Sequence, residues 1–167
     1  MKLLTGTTRM ITIIGCALAC SVAAAAGENT PFKSKDAGSF STVPTNSPGV
    51  VLSSDVAKGE GTRIGRYSLI AHELINLSNL NITDGAYTMT AADGSTLSGT
   101  YKGTGRATDQ PGVIAWEVCG PITSGTGRLS GASGSLCFFG SGDLNTGLFS
   151  EISVGMLDGV DDSRSQR

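Results

Sequence analysis

Tyr87-Thr-Met-Thr-Ala-Ala-Asp93-Gly94-Ser-Thr-Leu97 is the stretch that decides the fold. Asp-Gly supplies the positive φ that a tight two-residue turn needs, and β-branched and aromatic residues flank it, so the segment reads as a β-hairpin. In the strand that follows, Leu97 and Tyr101 point one way while Thr96, Ser98, Thr100 and Lys102 point the other. One face is therefore buried and one is wet. Outward from this hairpin, turn signals recur every ten to fifteen residues or about that, the spacing of short antiparallel strands with no room for crossover helices. Strands are predicted near Gly38–Val43, Val50–Lys58, Arg63–Leu77, Leu80–Ala91, Ser95–Gly103, Gly112–Thr123, Gly134–Gly140 and Leu148–Leu157. Ser68–Leu77 (SLIAHELINL) also has acceptable helical spacing, but its surroundings favour a long strand.

Composition agrees with an all-β chain. Among 167 residues there are 24 Gly and 5 Pro, too many helix breakers for a bundle, and 39% hydrophobic residues, enough for a core. A single His excludes a multi-histidine metal centre, and a net charge of −2 leaves no basic footprint for nucleic acid. No metal site and no cofactor is expected.

Residues 1–26 read as a signal peptide: Lys2 and Arg9 precede an apolar run from Met10 to Val22, and small residues end it at Ala23–Ala26. The apolar run is shorter than the roughly 20 residues that span a bilayer, so no stable membrane insertion is expected after cleavage. A lipoprotein reading rests on Ile13-Ile14-Gly15-Cys16, although few apolar residues precede that Cys and the chain stays apolar after it. Loss of Lys2 and Arg9 takes the charge from −2 to −4 and leaves only Cys119 and Cys137. In a secreted or periplasmic domain these two suggest one disulfide, contributing about 3 kcal/mol; two buried thiols are the alternative. Residues 27–36 are polar, carry Pro31 and read as a flexible lead-in; the barrel domain spans 37–157, and 158–167 form a polar tail.

A local repeat is visible, Gly103-Thr-Gly-Arg106-Ala107 returning as Gly125-Thr-Gly-Arg128-Leu129. A glycine-rich loop with an Arg can cradle an anion. The favoured reading is structural, with glycines at barrel ends and Arg covering an open edge, because neither copy completes a nucleotide-binding fingerprint.

Gly125-Thr-Gly-Arg-Leu-Ser-Gly-Ala-Ser-Gly-Ser135, with Gly61-Thr-Arg-Ile-Gly65-Arg-Tyr67 and Asp84-Gly-Ala-Tyr-Thr-Met-Thr-Ala-Ala-Asp-Gly94, resembles small secreted bacterial proteins of the allene oxide cyclase-like and dirigent-like barrel superfamily. The resemblance covers nearly all of the chain after the signal. It implies a single closed eight-stranded antiparallel β-barrel, calycin-like, with a central cavity. Many of the bacterial members have no assigned activity, and many carry a His where Arg63 stands here. No catalytic residue is carried over from the plant cyclases.

Catalytic templates find little purchase. Gly131-Ala-Ser133-Gly-Ser135 lacks the last glycine of a nucleophile elbow, and His72 is the one base available to any serine. His72 and Glu73 are adjacent, so on a strand they face opposite sides. The strand Val113-Ile-Ala-Trp116-Glu-Val118 is apolar on both faces, and so is the last strand, with Phe149, Glu151 and Leu157 against Leu148, Ile152, Val154 and Met156. Such strands suggest a ligand-holding interior or an outer face covered by another subunit. Tyr101, Trp116, Phe138 and Phe149 are expected as wall residues of a pocket for a small apolar ligand, with Glu117 as its polar anchor. An acid in such apolar company has its pKa raised and is suited to proton transfer, whereas a Glu at a barrel mouth meets solvent or a cation. The functions in view are ligand binding or extracellular interaction; an isomerase or cyclase templating an oxylipin-like or phenolic substrate, implied by the plant relatives; and a structural homo-oligomer.

Overall fold

At the Asp93-Gly94 turn the chain does what those residues dictate. Gly94 takes φ 82°, the Asp93 carboxylate accepts from the Ser95 N–H at 3.0 Å, and Met89 pairs with Leu97 across the hairpin. A computed structural model describes residues 30–160, so the signal reading of 1–26, the Cys16 alternative and residues 161–167 of the tail lie outside the described residues. Among the described residues, eight strands form a closed antiparallel barrel in sequence order: β1 (Thr30–Pro44), β2 (Val50–Gly61), β3 (Gly65–Asn76), β4 (Asn81–Ala91), β5 (Thr96–Ala107), β6 (Val113–Gly125), β7 (Ser133–Asp143) and β8 (Leu148–Asp158). A single 3-10 turn at Gly127–Leu129 interrupts the β pattern.

The first strand differs most from the sequence reading. Residues 30–36 are not a lead-in; they are the opening half of β1, which pairs with β8 from Thr30↔Leu157 and with β2 from Ser34↔Gly61. Their inward side chains, Phe32, Ser34 and Asp36, are buried, while Lys33 and Lys35 are exposed. Lysines on the wet face and a Pro near the strand start make the segment look like loop, yet without it β8 would end as an open edge. The helical spacing of Ser68–Leu77 is overridden by pairing with both neighbours, and β3 places His72 outside and Glu73 inside.

Closure gives the barrel two unlike ends. At the end carrying the β2–β3, β4–β5 and β6–β7 connections, Ile64, Met89, Leu97, Leu129 and Leu136 are fully buried and fill the interior. Arg128 ties these connections together, donating to Asp93 at 2.7 Å, to the Ile64 carbonyl at 2.5 Å and to the Arg63 carbonyl. The second copy of the Gly-Thr-Gly-Arg repeat thus works as a strap across the closed end. Cys119 and Cys137 are direct partners in the β6–β7 ladder, with Cα atoms 4.0 Å apart, and form a disulfide. No helix among the described residues is long and apolar enough to cross a membrane.

Candidate functional site

Toward the opposite end the interior is hollow. A cavity of about 180 Å³ opens between the connections that include Leu77 and Leu144, both more than half exposed. An apolar cavity of about 150 Å³ is enough to hold benzene, so this one has about the volume of a single ring with a short substituent. Tyr101, Trp116, Phe138 and Phe149 all line it, together with Phe40 and Tyr87. Tyr87 meets Phe138 edge to face at 5.0 Å between ring centres, and Trp116 meets Phe149 likewise at 5.9 Å.

The rings have room because glycines stand directly opposite them on the next strand. Tyr101 is paired with Gly85, Tyr87 with Gly99 and Trp116 with Gly140. A Cβ on Gly140 would lie 2.5 Å from the Trp116 indole, and one on Gly99 would lie 2.5 Å from the Tyr87 hydroxyl. Glycine across from an aromatic on the inner wall lets the ring lie against the sheet instead of crossing the lumen.

Glu117 is not the polar anchor. Strand alternation points Ile114, Trp116 and Val118 inward, so Glu117 is exposed on the outer wall, in an open depression shared with Lys35, Lys58 and Arg106. The acids that reach the cavity are Asp55, Glu73 and Glu151. Glu151 sits on the Phe149 face of β8, as alternation requires, and accepts a 3.1 Å bond from the Trp116 indole N–H. Glu73 accepts from the Tyr101 hydroxyl at 2.6 Å, and Asp55 from Ser53 at 2.8 Å. Below them Asp36, paired with Glu151 across the β1–β8 ladder, accepts from Tyr67 at 2.5 Å. Asp55 and Glu73 were legible as members of the inward rows Val51-Ser53-Asp55-Ala57 and Leu69-Ala71-Glu73-Ile75. Asp36 was hidden by reading its segment as loop.

Burial sets the chemistry of these groups. It pushes the Asp55 carboxyl up to about 7, the nearby Glu73 adding to the effect and the Ser53 hydroxyl opposing it. Glu151 rises to about 8, mainly by burial and then by its Asp36 neighbour, with the indole N–H pulling the other way. Asp36 is raised by burial against the Tyr67 hydroxyl. The Tyr67, Tyr87 and Tyr101 phenols are raised by burial as well, so they remain donors. Carboxyls poised near neutrality can give or take a proton. Among the described residues no three His, Cys, Asp or Glu side chains converge as ligands for a metal ion. Comparison with protein-family models, curated proteins and solved structures finds no match to this chain.

Proposed function

We propose that the protein is an exported binding protein whose barrel holds one small, largely apolar molecule of about ring size. One observation carries this reading: the interior is packed at one end and hollow at the other, leaving a 180 Å³ cavity with six aromatic walls instead of a filled core. An eight-stranded barrel can be filled by side chains or hold one small ligand, and this one does the first only at its closed end. The Cys119–Cys137 disulfide supports work in an oxidising compartment, secreted or periplasmic, which fits a signal peptide at 1–26. The likeness of the loop sequences to allene oxide cyclase-like and dirigent-like barrels belongs to the same proposal. Native mass spectrometry of protein taken from its own host is the test. A co-purified small molecule that is lost on denaturation is the expected result; bare protein, with no response of Trp116 fluorescence to ring-sized compounds, overturns the reading.

A second reading, an isomerase or cyclase acting without covalent catalysis, is favoured by Glu151 beside Trp116 in an open cavity with its carboxyl raised toward neutrality. The cavity size favours a phenolic ring over an extended oxylipin chain.

A further inference from the structure

The cavity is lopsided in charge. Asp55, Glu73 and Glu151 line it, and no Lys, Arg or His is among its lining residues. Resting on the reading of the cavity as a binding site, we propose that its ligand is an organic cation: a ring-sized amine whose ammonium group sits among Asp55, Glu73 and Glu151 while its apolar body lies against the aromatic walls.

Three ligand classes can be weighed against this geometry. An anion meets three acids and no counter-charge. A neutral alcohol pairs with one acid and gains no charge-assisted bond from any of them, and it gives the others no reason to release their protons. An ammonium forms a charge-assisted bond with one or two of the carboxylates and offsets the repulsion of the rest through space. It also gains from ring faces within reach, since cations are attracted to the negative face of Tyr and Trp. A metal ion would answer the same charge, but it demands a shell of several ligand oxygens, and no three acids converge in that way among the described residues; an ammonium needs only one or two of them.

A second observation points to a missing polar partner. Tyr87 faces the interior and lines the same cavity at 3% exposure, and its hydroxyl has no hydrogen-bond partner among the described residues. A buried phenol left unpaired is unusual and calls for an occupant or a water to complete it. A polar group of the occupant, or a water held in place by it, is the partner that hydroxyl lacks.

The groups facing Asp55 fix how binding responds to pH. They are Glu73 from β3, the Tyr101 phenol from β5, and Glu151 from β8 with Asp36 behind it, while β1, β4, β6 and β7 contribute Phe40, Tyr87, Trp116 and Phe138 to the same cavity. With no cation present, burial and then the neighbouring carboxylates make Asp55 and Glu151 hold protons toward neutrality. An entering ammonium displaces those protons, so its affinity rises with pH until the ligand itself deprotonates, near the roughly 10.4 of a lysine-type amine.

Trp116 is the one Trp of the chain and lines the cavity, which makes its fluorescence the natural readout. Three probes of matched size separate the possibilities: 2-phenylethylamine, 2-phenylethanol and phenylacetate. At about pH 8.5 the amine is expected to bind at least about tenfold tighter than the alcohol, with phenylacetate weaker than both, and to lose about tenfold in affinity at about pH 6. The double variant Asp55→Asn/Glu73→Gln is expected to keep the alcohol's affinity and lose the amine's advantage, while Glu117→Gln on the outer wall leaves both unchanged. Equal binding of amine and alcohol, or an amine affinity indifferent to pH, overturns the cation assignment and leaves the cavity reading standing. Calcium alone reproducing the Trp116 response overturns it in favour of a metal site. Silence from all three probes overturns both the assignment and the reading beneath it.

Discussion

Replacing Asp55 with Asn is expected to stabilise the protein in mild alkali and to change it little in mild acid. Asp55 stands at about 7 in the folded protein against an ordinary 3.8, chiefly because it is buried. Between those two values the folded state keeps a proton that the unfolded state has released, so stability falls as pH rises through this window and the whole loss is present above about 7. At about 1.4 kcal/mol for each pH unit, the interval sets a ceiling of about 4 kcal/mol. The cavity mouth admits water that screens the charge, so about 2 kcal/mol is a sounder expectation. Asn is neutral at every pH and is spared the loss. A change of that size corresponds to about 4–8 °C in Tm for a chain of this length. Calorimetry of both proteins at about pH 5 and about pH 8.5 supplies the comparison, and the quantity of interest is the difference between the two differences. A variant whose advantage is the same at both pH values, or smaller at the higher one, refutes the picture of a buried acid holding its proton toward neutrality.

Two further outcomes follow from the scaffold. Removing the disulfide by Cys119→Ala/Cys137→Ala is expected to destabilise by about 3 kcal/mol, the amount for a closed loop of 18 positions, and neither Cys should take up an alkylating reagent before reduction; labelling without reductant counts against the bond. Arg128→Ala is expected to lower stability by about 1–3 kcal/mol by releasing the carbonyls of Arg63 and Ile64. Arg106→Ala, at the matching and exposed position of the first repeat copy, should be nearly silent in the same urea titration; equal effects would show that the strap is not what Arg128 provides.

Much of this molecule is written locally. Asp93-Gly94 forms its turn wherever the flanking strands go, because positive φ and an Asx bond need only neighbouring residues. Alternation within single strands places Tyr101, Phe138 and Phe149 inward and separates His72 from Glu73. Two cysteines in a chain read as exported are enough to suggest their pairing. Glu117 shows where this kind of reading stops. Its strand is apolar on both faces, so the pattern alone cannot say which face is interior, and the choice is made by pairing with β5 and β7 around a closed barrel. Asp36 fails for the opposite reason, since a polar outer row and a Pro disguise a strand whose place is fixed by partners at 148–157 and 51–61.

Strand number, antiparallel order and the cysteine pair were thus within reach of the sequence, because each depends on period-two patterning, turn chemistry or a count. The carboxylates tell the other part. Asp36, Asp55, Glu73 and Glu151 are spread over 116 positions of chain, and nothing in their spacing foretells that they face one another. They meet because closure of the sheet curls distant strands around one lumen, and Leu129, Leu136 and Ile64 fill one end of it while glycines opposite aromatic rings keep the other open. Whether an acid is solvated or held in a hollow is a property of that closure, and so are the raised proton affinities on which any function of the cavity turns.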